Sequence, residues 1–156
     1  IEAIASRAGV GKTTIYRRYS GKEELVAAAI ESIREEIEIA DTGSLWGDLD
    51  AIIENAAQTT LSPLGRQAVA MIISSASTST QFAQLYWKNY LHPRRQAFSV
   101  VIERAKARNE VKGDLDSGLV FDAMSGIMLY ARIFQPATES WQVYVRRALR
   151  LLLEKS

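Results

Sequence analysis

The sequence predicts an all-α protein, a short helical head followed by a longer helical bundle. Three observations carry that expectation. Apolar residues recur at spacings of three and four along most of the 156 residues, as in Val26, Ile30, Ile33 and Ile37. No segment keeps the period-two alternation of a half-buried strand, and the β-branched run Met71-Ile72-Ile73 is set among Ala and Gln. Glycines, prolines and capping residues punctuate the chain at helix-length intervals.

The elements follow in order. Ile1, Ile4, Ala5 and Ala8 share one face of a first short helix, Gly9 supplies a permissive turn, and Val10 fills the angle behind it. Residues 13–19 form a second short helix whose Ile15 and Tyr19, four apart, face inward. A third opens near Lys22 and ends at Asp41-Thr42-Gly43-Ser44. Asp48 can cap a fourth that runs to about Thr60. Ser62-Pro63, a cap followed by proline at the first helical position, starts a fifth that reaches about Ser75. Thr78 or Ser79 caps the next, which Pro93 kinks or interrupts because it lacks an amide donor. Helix resumes over 94–108 and stops near Lys112-Gly113. Asp114 or Asp116 opens a helix to Phe134, closed before Pro136, and Thr138 or Ser140 opens the last.

Composition removes several classes of function. The chain has no Cys, so disulfides, Cys-ligated zinc, iron–sulfur clusters and thiol catalysis are all excluded. Its single His92, between Leu91 and Pro93, cannot build a multi-His metal site and reads as a surface or structural residue. Asp48 with Asp50, and Asp114 with Asp116, resemble paired catalytic carboxylates, but both pairs abut helix starts, where capping accounts for them. No set of nucleophile, base and orienting group can be assembled, so no enzymatic activity, metal or cofactor is expected. No apolar run is seen to approach the ~18–20 residues of a membrane span, and no signal peptide is visible. The expected location is the cytoplasm, without a membrane partner.

The net charge of +1 argues against a polyanionic partner only until it is resolved along the chain. Residues 1–22 hold Arg7, Lys12, Arg17, Arg18 and Lys22 against Glu2 alone, a net +4, while the remainder is −3. A basic head on a mildly acidic body suggests one polyanion-facing module.

Two readings compete for that head. Gly11-Lys12-Thr13 matches the end of a phosphate-binding P-loop, but the glycine needed at position 6 is Ser6, and Ile1–Ala5 is too short and alanine-rich for the preceding strand. A helix-turn-helix fits better. With Ile15 and Tyr19 inward, Lys12, Thr13, Thr14, Tyr16, Arg17 and Arg18 point outward, where they can meet base edges and phosphates. Lys22 opens the following helix, where an ammonium and free amides can both meet a phosphate.

The string Ile4-Ala5-x-x-Ala8-Gly9-Val10-x-Lys12-x-Thr14-Ile15-Tyr16-x-x-Tyr19-x-x-Lys22-x-x-Leu25 resembles the DNA-binding domain of the TetR family of bacterial transcriptional regulators. Gly43-Ser44-x-x-x-Asp48-Leu49 and Ala105-x-x-x-x-Glu110-x-x-x-Asp114-x-Asp116 resemble, more weakly, features of one C-terminal subgroup of that family. The resemblance implies a DNA-binding head over 1–40 and a helical ligand-binding and dimerisation domain over 41–156. It implies a double-stranded DNA operator, a small-molecule effector and a homodimer, with ligand-responsive repression as the expected activity. Lys12, Thr13 and Arg17 would then meet base edges, and Thr14, Tyr16, Arg18 and Lys22 mainly phosphates or phosphates and bases together. The sequence departs from the family string at Gly11, in place of a capping Ser or Thr, at Thr13 in place of Gly, and at Arg18 in place of His. The family's first helix is missing from the residues given, so the head is expected to lack part of its packing.

The last two helices are apolar over more than one face. Val120, Met124, Ile127 and Tyr130, with Trp141, Val145, Leu149 and Leu152, form the expected dimer interface, with plain core packing as the alternative reading, and Gly126 would allow close helix approach. Phe82, Tyr86 and Tyr90, with Trp87, Trp46, Met124 and Met128, are the candidate pocket walls, although such a stripe also reads as plain core. The rival reading is a helical small-molecule-binding or protein-interaction module that does not bind DNA.

Overall fold

The computed structural model describes residues 1–32, 39–134 and 138–153, with Leu64 described by its backbone only. The described residues form α1 (Glu2–Ala8), α2 (Lys12–Tyr16), α3 (Lys22–Ser32), α4 (Leu45–Thr60), α5 (Pro63–Thr78), α6 (Thr80–Tyr86), a π-helical turn (Trp87–Leu91), α7 (His92–Ala107), α8 (Ser117–Phe134) and α9 (Trp141–Leu153). The expected continuation of the third helix through Ile33 and Ile37 lies outside the described residues, as does Pro136. By their contacts the helices group into two compact units, Ile1–Glu36 with Met71–Pro93, and Ile37–Ala70 with Arg94–Ser156.

In the first unit α1 ends in a left-handed turn. Gly9 has φ 67°, its N–H donates to the Ser6 carbonyl, and the Val10 N–H reaches back to the Ala5 carbonyl. That pair of bonds is a Schellman motif, and its positive φ is what the glycine is for. The helices that follow are short, and α1 with α2 buries only Ala5 and Ile15. Val10, expected to fill the angle between them, is 43% exposed, and Ile4 is 39% exposed. Two helices of seven and five residues have too little facing surface to cover them. Ala27 and Ile30 of α3 are buried, and α3 packs on α6 and the π-turn.

Pro93 does not break its helix. The His92 N–H donates to the Trp87 carbonyl, five residues back, so a widened π-turn directly precedes the proline. The change of register occurs where Pro93 would have left a carbonyl without a donor.

The core of the second unit joins α4, α7, α8 and α9. Leu49, Ile53, Phe98, Val101, Ile102, Met124, Val145 and Leu149 are all buried in it. Phe98 and Phe121 meet at 5.7 Å in a tilted pair, and the Trp141 indole N–H donates to the Met128 carbonyl at 3.3 Å. By length and mean hydropathy (1.2 over 18 residues) α8 is apolar enough to cross a membrane, which the sequence reading did not anticipate. A core helix meets the same criterion, and α8 carries Asp122 and Arg132 and supplies Val120, Phe121, Met124 and Ala131 to the core.

The fourth helix is capped by Ser44, not Asp48: the Ser44 hydroxyl accepts the Gly47 N–H at 3.1 Å. Asp48 lies in the first turn, fully buried, where its Oδ1 accepts both the N–H and the hydroxyl of Thr42 at 2.7 Å. Its Oδ2 stands 3.7 Å from Arg108 Nη2. Arg108 Nε in turn donates to Glu110 Oε2 at 3.0 Å, and the same oxygen accepts the Leu45 N–H at 2.9 Å. Glu110 is delivered there because, just past the end of α7 at Ala107, Asn109 with φ 57° turns the chain while the Asn109 and Glu110 amides bond back to Lys106 and Ala105. The two weak sequence features, around Asp48 and around Glu110, are therefore halves of one polar cluster.

Of the alternative caps, Asp116 serves α8 and Ser140 serves α9. Asp116 Oδ1 accepts the Gly118 and Leu119 amides, and these bonds, Leu119's foremost, hold its carboxyl below the usual carboxylate range. A depressed folded pKa adds stability above the unfolded value and loses it as pH falls through the folded one. Asp116→Ala is therefore expected to lower Tm at pH 7, with the gap to wild type narrowing below about pH 4 in a thermal-melt series. A gap of constant size across that range contradicts the capping assignment.

Candidate nucleic-acid interface

The second helix begins at Gly11, which is extended (φ −71°, ψ 143°) and offers no side-chain cap. A Cβ there would meet Thr13 Oγ1 at 3.6 Å, an ordinary contact. Gly11→Ser is thus sterically free to supply the missing cap and is expected to raise stability by a few tenths of a kcal/mol, read as a small increase in Tm. After Tyr16 the helix tightens: the Arg17 N–H donates to the Thr13 carbonyl, and the Arg18 and Tyr19 amides share that of Ile15. The helix expected over 13–19 thus runs only over Lys12–Tyr16, and the residues to Tyr19 form its closing turn.

Burial sorts the side chains. Ile15 is buried and Tyr19 half-buried, whereas Lys12, Thr13, Thr14, Tyr16, Arg17, Arg18 and Lys22 are all exposed. Lys12 Nζ pairs with Glu2 Oε1 at 3.0 Å, an exposed bond that salt screens and that contributes at most about 1 kcal/mol. The Arg18 guanidinium lies 5.9 Å from the centre of the Tyr19 ring. Ahead of α3, Glu24 Oε2 accepts both the N–H and the hydroxyl of Ser20 at 2.7 Å, which keeps its carboxyl ionised and fixes the turn into α3. Lys22 stands at the first position of that helix.

The expected pocket residues fall in both units. Phe82 is buried and stacks on Tyr86 (6.0 Å), which stacks on Tyr90 (4.9 Å), while Trp87 is exposed and tilted against His92. A cavity of about 150 Å³ lined by Lys22, Val26, Ser75 and Phe82 adjoins this stack, below the ~300 Å³ of a drug-sized site. In the other unit Trp46 lies under the Arg146 and Arg150 guanidiniums, at 5.5 and 5.6 Å, and Met124 and Met128 pack in the core. Of the expected interface residues, Val120, Met124, Trp141, Val145 and Leu149 are buried within the protomer, Ile127 packs against its core, and Tyr130 and Leu152 are exposed. Gly126 faces open space. Sequence reasoning passed over Arg132, a buried charge in the most apolar helix, although its position four residues after Met128 was a visible signal.

A short helix, a left-handed glycine turn and a second helix with one buried and several exposed polar side chains define a helix-turn-helix protein, a class whose second helix reads duplex DNA. A family model described as bacterial regulatory proteins, tetR family, matches residues 1–29, and one described as tetracyclin repressor-like, C-terminal domain, matches residues 39–152. The chain belongs to the TetR family of bacterial regulators.

It is 28% identical over 126 residues to the HTH-type transcriptional regulator AqdR of Rhodococcus erythropolis, covering 80% of this chain and 60% of that protein. It is 28% identical over 139 residues to the DNA-binding transcriptional repressor TetR of Mycobacteroides abscessus, covering 83% and 69%. The crystal structure of the TetR family transcription regulator SCO0332 superposes with a TM-score of 0.74 at 20% identity, over 97% of this chain and 83% of that one. A TetR-family regulator from Mesorhizobium loti gives 0.62 at 17% identity, over 99% and 86%. These solved structures bear on the fold.

Proposed function

We propose that this chain is a DNA-binding transcriptional regulator, a ligand-responsive repressor that binds a palindromic operator as a homodimer and releases it when a small molecule binds. The carrying observation is the exposed set Lys12, Thr13, Thr14, Tyr16, Arg17, Arg18 and Lys22 around a helix anchored by buried Ile15. That the Mycobacteroides abscessus relative is a DNA-binding transcriptional repressor supports the direction of control. Residues 1–40 serve as the DNA-binding head and 41–156 as the body that binds ligand and dimerises, in the cytoplasm.

What the protomer leaves uncovered supports dimerisation. Leu119, Tyr130, Ile133 and Phe134 on α8, and Val143, Leu151 and Leu152 on α9, are exposed, Leu151 to 85%. A second copy burying these faces removes an apolar patch that water disfavours. Two recognition helices then enter successive major grooves, about 34–36 Å apart. An effector that prefers a different spacing of the heads releases the operator by population shift.

The test is a salt series on duplex binding. The logarithm of affinity should fall by about 0.9 per neutralised phosphate for each log unit of salt. Absence of binding to any duplex, including DNA flanking its own gene, overturns the reading in favour of the helical module without DNA binding.

A further inference from the structure

Two charged side chains are buried among the described residues, Asp48 and Arg132, and only the first has its charge answered. Arg132 is 7% exposed, and its Nε and Nη2 have no hydrogen-bond partner. The charge acting on it is that of Arg66, of the same sign, and burial and that repulsion both push its pKa down. A guanidinium nevertheless stays protonated at any physiological pH. The site is therefore a buried cation with no opposite charge paired to it among the described residues, which an anion would complete.

The two orphaned nitrogens suit an anion with two oxygens to offer. Nε and Nη2 form one edge of the guanidinium, the edge that meets both oxygens of a carboxylate. Arg95 of this chain uses the same two atoms on Asp122, at 3.3 and 3.4 Å. Arg132 follows Met128 by one helical turn and Met124 by two, and Ala131 beside it is buried. An anion seated there would carry an apolar body against that face of α8.

We propose that Arg132 anchors the carboxylate of an apolar small-molecule ligand. This rests on the ligand-responsive reading above and names the effector's chemical class. A small molecule is favoured over a carboxylate from a second copy, because Arg132 is buried within its own protomer while Tyr130, Ile133 and Phe134 are the exposed residues of that helix end.

Calorimetry and thermal shift on the full chain, without DNA, test it with benzoate and 3-phenylpropionate against benzamide and 3-phenylpropanamide. Wild type is expected to bind the carboxylates about 10- to 100-fold more tightly than the amides. Arg132→Met should abolish that preference and raise the Tm of the free protein, since an uncompensated buried charge is removed. No carboxylate preference in wild type, or preference kept in Arg132→Met, overturns the proposal. So does an Arg132→Met effect confined to the monomer–dimer balance, which assigns the anion to a partner copy. These readouts exclude DNA, so their failure leaves the operator reading standing, and loss of operator binding leaves them interpretable.

Discussion

Arg17→Ala is expected to weaken binding to the preferred operator by about 10- to 100-fold, the worth of one good side-chain contact to a base edge. Binding to unrelated duplex should fall far less. Lys12→Ala should act in the same sense but more weakly, because Lys12 must leave Glu2 (3.0 Å) to reach DNA. Lys22→Ala should instead lower affinity for all sequences alike and reduce the salt slope by about one per site, as loss of a phosphate contact does. The comparison requires an operator enriched from random duplex, then titration of each variant on that site and on an unrelated one. If all three substitutions reduce both affinities equally, the division into base-reading and phosphate-holding residues fails. The buried Ile15 and the Ser20–Glu24 bonds, which set α2 and the entry to α3, are the reason such differences can be expected of exposed side chains.

Asp48→Ala is expected to cost about 3 kcal/mol, since it strands the Thr42 N–H and hydroxyl and leaves Arg108 without its buried counter-charge. For a chain of this length that corresponds to a fall in Tm of about 6–12 °C. Arg108→Met should cost less in the Asp48→Ala background than alone, because the Asp48–Arg108 attraction is already gone while the Arg108–Glu110 bond is lost in either case. Urea unfolding of the two single variants and the double variant measures the coupling. A loss below about 0.5 kcal/mol for Asp48→Ala would place the residue among ordinary surface positions and sink the assignment. Gly47 belongs to the same assembly, because a Cβ at that position would collide with Thr42 Oγ1.

How much was legible differs between the two parts. The head was readable because its information is local: Ala5, Gly9, Ile15 and Lys22 act within a few residues of one another, through turn geometry and helical period. Helix starts at Ser62, Ser79, Asp116 and Ser140 were readable for the same reason, each bonding amides two or three residues ahead. Asp48 was misread as a cap because capping is the commoner use of aspartate near a helix start, and its actual partners include Arg108, sixty residues on. The π-turn before Pro93 was equally hidden, since a kink and a widened turn both solve the missing donor.

The sequence alone determined the all-α class, the helix-turn-helix and its exposed basic set, because periodicity, turns and charge are short-range properties of the chain. Only the tertiary structure decided which face of α8 and α9 is core and which is left uncovered, since both faces are apolar and burial depends on what packs against each. It likewise decided that Asp48 has partners while Nε and Nη2 of Arg132 have none among the described residues, because whether a buried charge is answered depends on residues distant in sequence and near in space.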